Sequence, residues 1–361
     1  MKFNSKHILL NLSVLTAISI STVLILYVTS ENVVHRHNTF IRQYPHHPIQ
    51  QTKFLDLGYN SYYLAAITGD TIYLGNKTAP LRVITAPLTL SDTSHININL
   101  SENINDRYHF IQLRINKPNF YLLDGSIPMI LKGNLKDWIA QSVPIEKSIN
   151  FSLEEAMTTD KFIVRSRALS NNEDCLCSLS LINSEKLICN PDLLIKQNEG
   201  VFSTDGMLLY SSFLKRLVYV YYYRNEFIVA TKNLKLDYRG KTIDTISKAI
   251  LEVTELESDH SRKLSSAPLL VNKRSAVDGH YLFVNSGILG RFEPEEMLKE
   301  AAIIDVYDIT KNTYEFSFYL PNYKDEPVRE FQISHNVLIA LSGRYLIAYK
   351  LDTNYFKIPT I

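Results

Sequence analysis

Glycine is scarce in this chain: 12 of 361 residues, never two in succession. Loops that cradle phosphate need glycine so that backbone amides can approach the ligand, as in G-x-G-x-x-G or G-x-x-x-x-G-K-[ST], and neither pattern occurs. Nucleotide binding through such a loop is therefore not expected. The nucleophile elbow G-x-S-x-G and the zincin helix H-E-x-x-H are missing as well. A single Trp cannot mark every repeat with a Trp-Asp signature, and the lack of a double glycine removes the kelch pattern. There are three cysteines and no Cys-x-x-Cys motif. An excess of charge of one sign is missing too: 38 Lys+Arg stand against 37 Asp+Glu. The first 30 residues hold two lysines and no acid, so the remainder carries 36 against 37. A body so nearly neutral has no electrostatic case for nucleic acid or anionic lipid. No cofactor and no metal site is expected.

What is present begins at the N-terminus. Residues 8–28 carry no charged side chain, and a helix of that length spans roughly the 30 Å hydrocarbon layer at about 1.5 Å per residue. The segment reads as a membrane anchor. Lys2 and Lys6 precede it, which favours a cytoplasmic N-terminus and a body outside the cytoplasm, on the periplasmic side, although Arg36 and Arg42 weaken that bias. The alternative is a signal peptide with Val28 and Ser30 at the cleavage site, giving a secreted protein, but the apolar run is long for one. The first cysteine is Cys175, which argues against a lipoprotein. Three regions follow: an anchor or signal over 1–30, a polar tether over 31–53 and a body over 54–361. His35, His37, His46 and His47 lie in the tether, where a solvated spacer is the better reading than a metal site with fixed geometry.

The body is rich in Tyr (22) and Phe (16), residues that favour strands. A turn with Asp, Asn or Gly beside a short apolar run recurs six times, at 70–76, 119–125, 161–166, 205–212, 279–286 and 336–343. Further strand-like runs flank each one. Helical patterns are few: 134–141, 153–157 and 294–301, with 242–253 ambiguous. Short strands repeating every 40 to 50 residues predict an all-β fold, a six-bladed β-propeller of four-stranded blades behind one N-terminal helix; two stacked sandwiches or a large barrel are the alternatives. Runs such as Tyr219 to Tyr223 are aromatic or apolar at consecutive positions, as strands buried on both faces should be. With so little glycine, Asn and Asp are expected in many tight turns.

The stretches 62–76, 200–210, 217–227, 242–247 and 302–309, behind an export segment and a His/Pro-containing tether, resemble the TolB-like six-bladed β-propellers, and in particular uncharacterised exported proteins of the Bacteroidetes type. The resemblance covers residues 54–361 and implies the propeller fold. It carries over no activity and no catalytic residue.

Candidate sites come from the residues themselves. A hairpin of 176–181 with 185–190 sets Cys177 opposite Cys189, near enough for a disulfide in an oxidising compartment, with Cys175 left over; three reduced buried cysteines are the alternative. Asp124-Gly125, Asp205-Gly206 and Asp278-Gly279 read as turns before they read as acid/base groups. Asp305 and Asp308, three apart, face opposite sides of a strand, whereas Asp237 and Arg239 share a face and suit a surface ion pair. Arg224 closes the tyrosine run, where a guanidinium can stack on a ring and still present a fork to a carboxylate. With Tyr222 and Asn225 it is the candidate ligand-binding group at one end of the propeller; the competing reading is a bridge between blades. Two functions remain: an anchored binding or scaffold module for a protein, peptide or glycan, and a hydrolase or lyase whose acid/base groups converge on the central channel. A deep axial pocket with convergent titratable groups speaks for the enzyme, and a plugged channel with an exposed aromatic patch for the binder.

Overall fold

The computed structural model describes residues 5–33, 38–101, 111–145, 149–167, 173–182, 187–197, 201–255 and 262–358. An N-terminal helix, Ser5–Val33, contains the span Leu9–Thr29, exposed throughout and long and apolar enough to cross a membrane. Everything after it is built on strands.

Six sheets form a closed ring of blades. Each blade is an antiparallel meander running from an inner to an outer strand. The inner strands are Tyr62–Thr68, Gln112–Asn116, Phe151–Thr158, Gly206–Ser211, Asn272–Asp278 and Val328–Ser334, taken here as blades 1 to 6. A two-residue strand, Asn99–Leu100, adds parallel to the outer edge of blade 2. The ring is closed by Ile49–Asp56, which pairs antiparallel with Tyr345–Leu351 and becomes the outer strand of blade 6. Chain that precedes blade 1 thus completes the last blade.

The cause is visible in the burial. Six apolar clusters fill the six gaps between successive blades, the last joining Ile339, Leu341, Leu346 and Ala348 of blade 6 to Leu64, Ile72, Leu74 and Ile84 of blade 1. A strand inside a blade faces two such gaps and so needs apolar residues on both faces. Phe120, Tyr121, Leu122 and Leu123 are buried in succession, and so are Leu217 to Tyr221. A fully buried side chain such as Phe120 contributes on the order of 2 kcal/mol.

Five of the six sequence repeats fall on the second strand of a blade. The instance at 205–212 is instead the inner strand of blade 4, whose second strand is Arg216–Tyr221. Two predicted helical patterns are strands: 134–141 is a strand end, a turn and Ile139–Val143, and 153–157 lies in the inner strand of blade 3. Pairing with Lys161–Arg167 satisfies that backbone and overrides the helix propensity of Glu154, Glu155 and Met157. Among the described residues after the anchor, Met297–Glu300, a single turn, is the only α-helix, beside a 3-10 turn at Val201–Thr204; 242–252 is irregular. Asn312, Asp325 and Asn336 do take left-handed backbone in turns, but so do Leu90, Trp138, Lys215 and Leu234. Leu90 and Leu234 are fully buried, and their packing offsets a strain of roughly 1–2 kcal/mol each.

Part of the stretch read as a tether is built into the propeller. Besides the closing strand, residues 38–44 lie as a strap across blade 5. Phe40 packs on Val271 and Ile288, and its carbonyl accepts from Arg291 N–H at 3.0 Å. Arg42 is buried: it donates to Asp305 Oδ1 and Glu293 Oε2, each at 2.6 Å, and to Ser286 Oγ and the Ile288 carbonyl at 2.8 and 2.9 Å. Tyr44 stacks on Tyr319 and donates to Glu293.

Candidate functional site

All six inner strands contribute to one axial cavity of about 540 Å³. Its lining begins at the third residue of each inner strand, so it lies toward the end of the channel at which the inner strands finish. Six strands radiating from an axis leave a gap at the centre that only their inward side chains can fill. Here the side chains that meet in it include Arg114, Glu154, Glu155, Arg274, Asp278 and Glu330.

Most of these charges are already engaged. Arg114 meets Glu154 at 3.0 Å across the gap between blades 2 and 3 and donates to Gln112 Oε1 at 2.9 Å. Burial works against the guanidinium, yet Glu154 and the other carboxylates around it hold its pKa above the ordinary value. Arg274 donates to the carbonyls of Arg329 and Lys273, and Glu330 accepts from Leu64 N–H at 2.9 Å. These contacts tie neighbouring blades together at the axis.

Two carboxyls stand apart. Burial pushes Glu155 up to about 7, with Arg114 pulling it down and Glu154 pushing it further up. Burial likewise lifts Asp278 to about 6, against the Gly279 amide and His335. The Oδ2 atom of Asp278 is buried without a hydrogen bond among the described residues. An unmade bond of that kind costs about 1–3 kcal/mol, which a donor from a ligand would recover. Asp278 is also the turn residue the dipeptide suggested, with Gly279 at φ +56. Asp124 caps its turn, accepting from Ser126 and from Ile127 N–H, and Asp205 pairs with Arg165 at 2.7 Å.

The residues singled out in the sequence lie elsewhere. Arg224 is fully buried, its guanidinium 3.4 Å over the Tyr221 ring, with donors directed to Glu226 and to the carbonyls of Ser203 and Ile195. Asn225 donates to the Asp244 carbonyl, and Tyr222 is held by main-chain bonds to Asp205, Val271 and Asn272. The three lie at the turn of blade 4 between Tyr221 and Glu226, against the connections from blade 3 and to blade 5, and none of them lines the cavity. Asp237 and Arg239 do not pair with each other: Asp237 takes Arg216, two strands away in the same blade, and Arg239 takes Glu226, diagonal to it on the neighbouring strand.

In blade 3, Asp174–Ser180 pairs with Leu187–Asn190 in the register that sets Cys177 opposite Cys189. Their sulfurs are 2.08 Å apart, with that of Cys175 3.4 Å from Cys177. Burial raises the Cys175 thiol to about 11, which keeps it protonated and unreactive.

The channel groups escaped sequence reasoning because they come from four separate strands, in blades 2, 3, 5 and 6, and form no linear motif. The available signal was a charged residue inside four of the six strands that precede a tight hairpin: Arg114, Glu154, Glu155, Arg274 and Glu330 all fit it.

Comparison with known proteins supports the fold. No family model matches the chain, and no curated protein matches its sequence. Among solved structures, a member of the DUF4221 family from Bacteroides vulgatus aligns at TM-score 0.53 and 11% identity, over 84% of this chain and 97% of that one. A protein of unknown function from Bacteroides thetaiotaomicron aligns at 0.48 and 10%, over 81% and 70%. A catalytically inactive virginiamycin B lyase from Staphylococcus aureus aligns at 0.47 and 10%, over 84% and 99%.

Proposed function

We propose that this is a membrane-anchored, extracytoplasmic β-propeller that binds a donor-rich ligand in its axial cavity, the ligand being part of a protein, peptide or glycan. The observation that carries this reading is the cavity itself, where the engaged charges are structural and Glu155 and Asp278 are left to meet a guest. With four carboxylates against two arginines, the lining favours hydroxyl- or ammonium-bearing groups. The apolar N-terminal helix and the bias from Lys2 and Lys6 support an anchor with the propeller on the periplasmic side. The fold shared with a Bacteroides protein of an uncharacterised family fits the TolB-like, exported type suggested by the sequence.

The test is titration calorimetry on the full chain in detergent, against lysine-containing peptides and hydroxyl- or amine-bearing oligosaccharides. At least one probe should bind, and Asp278→Asn or Glu155→Lys should weaken it tenfold or more, about 1.4 kcal/mol. A probe that keeps its affinity in both variants places the site elsewhere, and the absence of any binding probe removes the reading.

A second reading, a hydrolase or lyase, is favoured by one observation: a carboxyl at about 7 is matched to general acid/base work near neutral pH. Against it, Glu155 and Asp278 stand in blades 3 and 5 with blade 4 between them, and no hydrogen bond joins them among the described residues. A bound probe recovered with a changed mass, and unchanged with Glu155→Gln, would establish the enzyme.

A further inference from the structure

The strap and the anchor are separated by very little chain. Helix Ser5–Val33 ends five residues before Asn38, whose side chain donates to the Leu289 carbonyl at 2.6 Å. Five residues reach at most about 18 Å when fully extended, and the helix beyond Thr29 adds about 6 Å. The docked strap thus lies within about 24 Å of the hydrocarbon edge, several ångströms of which are headgroup.

Large apolar side chains are exposed just where the strap docks. Ile41 is 57% exposed, Phe292 63%, Leu269 43% and Leu270 40%. Each lies within two residues of a contact between the strap and blade 5: Phe40 on Val271, and the Arg291 N–H on the Phe40 carbonyl. The patch is at the end of the channel where the inner strands begin, opposite the charged cavity. Exposed Glu295 and Glu296 follow Phe292, so attraction to anionic headgroups does not account for it.

Resting on the reading of Leu9–Thr29 as a membrane span, we infer that this end of the propeller is a bilayer-contact surface. Ile41, Leu269, Leu270 and Phe292 enter the interface of a zwitterionic phospholipid membrane, and Arg42 locks the strap so that the cavity faces away from it. Apolar side chains of this kind sink several ångströms into the boundary between headgroups and acyl chains.

The single Trp138 supplies the test. It lies in the turn before Ile139–Val143, at the cavity end. The full chain is reconstituted into phosphatidylcholine vesicles carrying brominated acyl chains, which quench indole emission on contact. Phe292→Trp and Leu270→Trp, each in a Trp138→Phe background, should lose half or more of their emission relative to unbrominated vesicles, unchanged by salt. The native chain should keep its emission. Flotation of the vesicles separates the two assumptions. A chain that does not float with the vesicles overturns the anchor and this surface with it. A chain that floats with both introduced indoles unquenched, or with Trp138 quenched as strongly, overturns the surface alone.

Discussion

A carboxyl at the axis and a guanidinium in a wall carry different messages about function. Arg224 was conspicuous in the sequence because it ends an aromatic run, and the structure explains that run by packing: its ring contact and carbonyl partners are internal. Glu155 was inconspicuous, yet burial holds its carboxyl near 7. The sign of the consequence is fixed by linkage. Between its ordinary 4.5 and about 7 the folded chain keeps a proton that the unfolded chain has released, so this group makes stability fall as pH rises through that window. Denaturant midpoints of the native chain and Glu155→Gln, compared from pH 4.5 to 7.5, should converge at the acid end and separate above it, the variant being more stable at neutral pH. Parallel profiles would show that the carboxyl is solvated like any other.

At the scale of the element, the hairpin of Asp174–Ser180 with Leu187–Asn190 shows how far local register reaches. Alternation across a short turn places Cys177 against Cys189, and the strand pairing has that register. Alkylation of the denatured, unreduced chain should label one cysteine, Cys175, and reduction should raise the count to three. The loop is short, so reduction should cost about 3 kcal/mol in an unfolding titration. Three labels before reduction would mean that the thiols are free. The inner strand of blade 3 is the contrary case. Its sequence from Leu153 to Met157 suits a helix, and no local rule says that Lys161–Arg167 will pair with it and that blades 2 and 4 will pack against it.

For the whole molecule, ring closure is the decisive contact. Strand Ile49–Asp56 supplies the fourth strand of blade 6, and the strap places Arg42 against two buried carboxylates. Removing one partner from such a buried network typically costs 3–5 kcal/mol. A chain beginning at Asn38 should therefore melt cooperatively. One beginning at Gly58, which lacks the strap and the closing strand, should show no cooperative transition by circular dichroism. Cooperative melting of the shorter chain would mean that five complete blades and a three-stranded sixth suffice.

Composition and local pattern determined the fold class, because doubly buried strands need apolar residues on consecutive positions and tight turns need a few particular residues; both are properties of short segments. The anchor was legible for the same reason, length and apolarity being local. Six repeats were also countable, although the one in blade 4 sat a strand too early. Only the tertiary structure decided which chain closes the ring, where the strap docks and which side chains meet at the axis. Arg114, Glu154, Glu155, Arg274, Asp278 and Glu330 are brought together from positions more than two hundred residues apart. No spacing rule along the chain encodes a meeting that depends on rotation about an axis.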